Sequence, residues 1–242
     1  GGEPFLSEIK KQKRLLQKYV ESGRSKDISL HYTTNGQIFP GREWWNLWQN
    51  FKEIDMQLSI DGVGKRYEYI RFPGKQHVIE QNVELFIEKE KTNNNLRLSV
   101  SHTVSSYNIY YLTEFFDWCE QVGLPRPWCG VVHTPKYMRP QVYPQAIKNK
   151  IIEHLKGSRY EDVQTWAHYL INNDSSEYFS EFLRLTDAHD LTKRYASMGA
   201  LERIQKVVFA DNELTDDSIG TILKMLEDYK YLKYLDLREN YL

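Results

Sequence analysis

The sequence predicts an α/β protein built on a parallel sheet. Three observations predict it. Strand-like and helix-like segments alternate from residue 5 to about residue 133, the spacing of βαβ units. The four strand-like segments end near Asn35, Asp61, Asn108 and His133, and parallel sheets bind ligands at the carboxyl ends of their strands. After Pro144 the pattern is mostly helical, through "QAIKNKIIEHL", "EDVQTWAHYLI" and "SEYFSEFLRLTDAHDL".

Each element follows from a local pattern. The chain opens on "GGEP", a glycine turn that suits the end of a strand. No strand precedes it, so the expectation is a chain severed just after one. From Phe5, apolar residues Ile9, Leu15, Leu16, Tyr19 and Val20 follow a helical period among Lys and Arg, and Gly23 closes the helix. "DISLHYTTNG" reads as a strand ending in an Asn-Gly turn, "GREWWNLWQNF" as a short aromatic helix, and "IDMQLSIDG" as an alternating strand. A helix over 75–92 ends at "TNNN". In "LRLSVSHTV", Leu96, Leu98 and Val100 share one face, and Ser99, Ser101 and Thr103 the other. The helix "IYYLTEFFDWCEQVG" and the strand "WCGVVHT" complete the series. Helical spacing makes Trp44, Trp45 and Trp48 packing residues rather than a binding platform.

Bulk properties exclude several classes. A chain of 242 residues can bury a full core. With 32 Lys+Arg against 33 Asp+Glu, the net charge supplies no global pull toward nucleic acid or an anionic membrane. No apolar run approaches the roughly 20 residues that span a bilayer, so neither nucleic acid nor membrane is expected as a partner. Two cysteines, Cys119 and Cys129, are too few for a disulfide framework or for the thiolates of an iron–sulfur cluster. The cytoplasm is the expected compartment, and no metal ligands are expected in this chain.

Four stretches in order, "GGEP" (1–4), "TTNG" (33–36), "LSIDGVGKRYEYIRFPG" (58–74) and "SVSHTVSSYNIYYLTEFFDWC" (99–119), together resemble the radical S-adenosylmethionine enzymes. The nearest branch is the one with a shortened auxiliary-cluster region, the twitch domain, whose helical tail is similar to "SEFLRLTDAHDL". The resemblance covers about residues 1–195. It implies a partial (βα)6 barrel that here lacks its first strand and the CxxxCxxC loop of a [4Fe–4S] cluster. It also implies an activity: one-electron cleavage of S-adenosyl-L-methionine to a 5′-deoxyadenosyl radical, which acts on a peptide or small molecule. The fragment itself is expected to be inactive, because the cluster ligands lie outside it.

The resemblance carries residue roles. Gly1, Gly2, Glu3 and Pro4 would hold the methionine ammonium, Glu3 by a charge-assisted hydrogen bond; otherwise Glu3 merely starts the following helix. Ser59 and Asp61 share a strand face and would meet the ribose or the methionine end, or Asp61 simply makes its Asp-Gly turn. Arg71 either forks onto a carboxylate or caps a helix or pairs on the surface. Ser101, Thr103 and Asn108 would contact the nucleoside and methionine ends, although the glycine-rich pattern many members carry there is missing. Asn35 makes a turn or joins the site. Val131 and Val132 would meet the adenine through main chain. His133, with Lys136 and Tyr137, would lie toward the substrate, or His133 is solvated.

The C-terminus carries a different signal. "IQKVVFADNEL" (204–214) and "LKYLDLRENYL" (232–242) align at an offset of 28 residues around an amphipathic "TDDSIGTILKMLEDYK". This resembles ribonuclease-inhibitor-type leucine-rich repeats; a plain βαβ element is the alternative. The expected domains are a barrel (1–156), a helical tail (157–198) and a repeat segment (199–242), the last a possible protein-binding surface. Two further functions therefore compete with the enzyme: a non-catalytic interaction protein on a remnant barrel, and an ordinary α/β barrel with another ligand.

Overall fold

The computed structural model describes residues 3–6, 9–197, 206–208 and 234–236. Its elements are α1 (Ile9–Glu21), β1 (Ser29–Thr34), α2 (Arg42–Trp48), β2 (Glu53–Ser59), α3 (Gly64–Ile70), α4 (Gln76–Thr92), β3 (Leu96–Val104), α5 (Leu112–Val122), β4 (Trp128–Val131), α6 (Gln145–Lys156), α7 (Glu161–Asn172), α8 (Phe179–Ser197), β5 (Lys206–Val208) and β6 (Tyr234–Asp236). Two compact units result, Gly1–Tyr178 and Phe179–Leu242. Helix α6 falls in the unit of the sheet with the expected 1–156 barrel, and α7 joins it there, whereas the sequence assigns 157–198 to a separate tail. Leu155, Val163, Ala167 and Leu170 explain why: their apolar stripes join the core beneath the sheet.

In the first unit, β1 to β4 form one parallel sheet in chain order. The two faces differ as strand alternation requires. Ile54, Met56, Leu58, Leu96, Leu98 and Val100 are buried against the helices. The opposite face presents Thr33, Gln57, Ser59, Ser99, Ser101 and Thr103, which are exposed or half-buried. An α/β class is therefore observed.

The tryptophans pack, as their spacing predicts. Phe5, Tyr32, Trp44 and Trp48 form an aromatic cluster with ring centroids 5.1–6.2 Å apart. Phe5 anchors the entering chain two residues after Glu3. Helix α3 was not legible as a helix: "GKRYEYI" is a single short stretch without a clear apolar period.

The second unit contains β5 and β6 as a parallel pair. Lys206 pairs with Tyr234, Val207 with Leu235 and Val208 with Asp236, each pair 28 positions apart, the offset of the sequence repeat. The amphipathic segment between them lies outside the described residues. No helix among the described residues is long and apolar enough to cross a membrane.

Candidate functional site

The polar residues converge on the carboxyl edge of the four-stranded sheet. At β1, the Glu3 carboxylate accepts from Thr34 Oγ1 at 2.6 Å and from the Asn35 backbone N–H at 2.9 Å. The turn beneath is held from several sides. Thr34 Oγ1 also accepts from Gly36 N at 3.1 Å, Asn35 Oδ1 accepts from Gln37 N at 2.9 Å, and the buried Asn82 amide donates to Gly36 O at 2.8 Å. Asn35 therefore makes its turn and also fixes Glu3. Gly1 and Gly2 lie outside the described residues, and Pro4 sits in the turn that follows Glu3.

Gly36 is required by this turn. Its φ is +72°, and a Cβ there would lie 2.2 Å from Ile79 Cδ1. Left-handed backbone costs a residue with a Cβ about 1–2 kcal/mol. Gly36→Ala is expected to destabilise the sheet unit by at least that amount, read as a lower urea midpoint of tryptophan fluorescence. All six tryptophans lie within residues 1–178, so this signal reports that unit.

At β2, Asp61 is paired with Arg71. One guanidinium nitrogen lies 2.7 Å from Asp61 Oδ2 and donates to Ser59 Oγ at 2.7 Å. Asp61 Oδ1 accepts from the Thr103 backbone N–H at 2.7 Å. The Asp61 side chain is 9% exposed and that of Arg71 29%. Helix α3 delivers Arg71 back over the end of β2, and the Arg71 N–H closes that helix on Tyr67 O. Arg71 thus forks onto a carboxylate and a hydroxyl of its own chain. Its Nε is buried and has no partner among the described residues.

At β3, Ser101 and Thr103 lie on the open face, with Ser101 opposite Ser59 in register. Asn108 is 1% exposed. Its amide nitrogen donates to Asp61 O at 3.1 Å and Thr103 O at 2.9 Å, while its Oδ1 accepts from Ser105 N at 2.7 Å. Asn108 therefore positions Asp61 and the loop after β3. At β4, Val132 N donates to Val104 O at 3.0 Å, so only its carbonyl remains for a ligand. The His133 carbonyl accepts from Arg139 Nε at 3.0 Å, and Lys136 Nζ donates to Tyr178 OH at 3.0 Å.

Three residues at this edge were not singled out from sequence. Thr34 holds Glu3. Gln37 donates to Tyr67 OH at 2.8 Å and accepts from Lys75 N at 3.0 Å. Tyr67 is fully buried, and burial raises its phenol above the ordinary value. The threonine beside Asn35 was the available signal for Thr34. Gln37 and Tyr67 gave none, because their partners lie about 30 or more residues away.

The chemistry of this edge can be set against the group the sequence implies. S-adenosylmethionine carries an ammonium, a carboxylate and a ribose diol. Glu3 keeps lone-pair capacity for a cation, the partly exposed Arg71 guanidinium suits a carboxylate, and Ser101 and Thr103 supply hydroxyls for a diol. These residues fit. An iron–sulfur cluster does not fit: among the described residues no three His, Cys, Asp or Glu side chains are grouped to hold a metal. Burial also raises the Cys119 thiol, and pushes that of Cys129 up to about 12, so neither is a ready thiolate nucleophile. Compared with protein-family models and with curated proteins, the chain matches none.

Proposed function

We propose that this chain is part of a radical S-adenosylmethionine enzyme and binds S-adenosyl-L-methionine along the carboxyl edge of its sheet. The sheet is read as part of a (βα)6 barrel whose interior is the polar face. The observation that carries the reading is Glu3. The acid of "GGEP" is fixed by Thr34 and Asn35 of "TTNG" at the end of β1, and the Asp61–Arg71 pair of "SIDG" and "YIR" lies at the end of the neighbouring β2. The motifs that carry the resemblance in sequence thus face one edge. Glu3 binds the ammonium, Arg71 the carboxylate, Ser59, Ser101 and Thr103 the ribose side, and the Val132 carbonyl the adenine. His133 faces a peptide or small-molecule substrate. When bound and given one electron by an external reductant, S-adenosylmethionine would supply the 5′-deoxyadenosyl group for hydrogen abstraction. The cluster that would reduce it finds no ligands among the described residues.

Reading the messenger RNA upstream of the Gly1 codon, in frame, tests this. A CxxxCxxC a few tens of codons before "GGEP" is expected, with 5′-deoxyadenosine released by the anaerobically reconstituted enzyme. Upstream sequence without those cysteines would overturn the proposal.

A second reading rests on the second unit. The β5–β6 register at the repeat offset favours a leucine-rich-repeat segment that binds another protein. Further 28-residue repeats downstream, without upstream cysteines, would select this reading instead.

A further inference from the structure

The balanced charge of the whole chain conceals a local excess. Between residues 10 and 52 there are nine Lys and Arg against three Asp and Glu, in a chain of net charge −1. Five of the cations lie on α1, which carries one acid, Glu21. The helix is anchored on one side: Leu16 is buried, Val20 packs on the core, and Lys13 pairs with Glu43 above the Trp44 ring. That anchoring turns Lys11, Arg14 and Lys18 outward, and all three are exposed. Their i, i+3, i+7 spacing makes one cationic stripe about 10 Å long. Beside it, Leu15 is 54% exposed and Tyr19 37%, one helical turn apart, and Leu6 just before the helix is 67% exposed.

We propose that α1 docks this protein onto an anionic phospholipid surface. The stripe meets the headgroup phosphates and carboxylates, while Leu6, Leu15 and Tyr19 enter the boundary with the acyl chains. Charge complementarity alone would also suit a nucleic acid. The apolar rim favours lipid, because a phosphate backbone offers nothing to bury Leu6 and Leu15, whereas interfacial helices combine basic and apolar side chains in this way. This inference is independent of the proposed reaction. It goes beyond the expectation of no membrane partner, which rested on the summed charge and on bilayer-spanning runs, neither of which tests a surface contact.

The test is co-sedimentation of the full chain with vesicles of phosphatidylcholine containing one part in three of phosphatidylserine, and with pure phosphatidylcholine vesicles. Binding only to the anionic vesicles is expected. Combined Lys11→Gln, Arg14→Gln and Lys18→Gln should weaken it roughly a hundredfold, from about 1 kcal/mol per cation at the surface. Leu15→Ser with Tyr19→Ser should weaken it at unchanged charge. A matched variant, Lys91→Gln with Lys150→Gln and Lys156→Gln, removes three exposed cations elsewhere and should bind as the parent does. Absence of vesicle binding, equal binding to both vesicle types, or equal loss in the matched variant would overturn the proposal. So would indifference to Leu15 and Tyr19 together with tighter binding to a duplex RNA.

Discussion

Asp61→Ala is expected to destabilise the sheet unit by about 3 kcal/mol, the low end for removing one partner of a buried ion pair. The low end applies because the Arg71 side chain keeps 29% of its exposure. The loss has identifiable parts. Arg71 would retain only Ser59 Oγ, and its Nε already lacks a partner among the described residues. The Thr103 N–H would lose its acceptor. Urea unfolding followed by tryptophan fluorescence measures the effect. Arg71→Met should also destabilise, since it strands the Asp61 carboxylate at 9% exposure. The double variant Asp61→Leu with Arg71→Met should recover part of the sum, because an apolar pair leaves no charge uncompensated. A single-variant loss below about 0.5 kcal/mol, typical of an exposed pair, would show that the pair does not hold this edge together.

The same pair shows what the sequence could reveal. Ser59 and Asp61 sit two apart on a strand, so their shared face was legible from alternation. The polar strand ends were legible for the same local reason. The partner of Asp61 was not. Arg71 reaches it through α3, a seven-residue helix held at its end by the Tyr67 carbonyl. "YEYIR" therefore left a carboxylate fork and a surface role equally open. Asn108 makes the same point: its position just past a strand was visible, but not that its amide staples Asp61 O to Thr103 O. Contacts across 40 or more residues depend on register, and register is a property of the folded sheet. Helix α1 shows a different blindness. Its charges were counted, but a whole-chain sum cannot show that anchoring Leu16 and Lys13 turns the other cations to one side.

His102 was legible and unread. In "LRLSVSHTV" it occupies the parity of Leu96, Leu98, Val100 and Val104, the buried face, where a polar residue is the exception. It is 1% exposed, lies against the Phe115 ring with centroids 4.3 Å apart, and its Nδ1 lies 2.9 Å from Ile60 O. A carbonyl only accepts, so Nδ1 carries the proton and the buried Nε2 is left without a partner among the described residues. Burial pulls the imidazole from 6.5 to about 4, against the opposing pull of the Asp61 charge and the Ile60 carbonyl, with Arg71 adding to the lowering. The depressed value sets the sign. The unfolded chain protonates first, so the contribution of His102 is complete above pH 6.5 and is lost as pH falls toward 4. Across that window the loss is on the order of 3 kcal/mol. Carboxylates titrate in the same range, so the measurement is a difference. Urea unfolding free energies of the parent and of His102→Phe are compared from pH 7 to 4, and the parent should lose stability more steeply. Parallel curves would mean that His102 does not stay neutral. Ile60 precedes Asp61, and a charged His102 would carry a second N–H at the buried Nε2, which has no acceptor among the described residues, so charging favours moving the ring toward water beside Asp61. Acid is therefore expected to loosen the carboxyl edge before it unfolds the sheet.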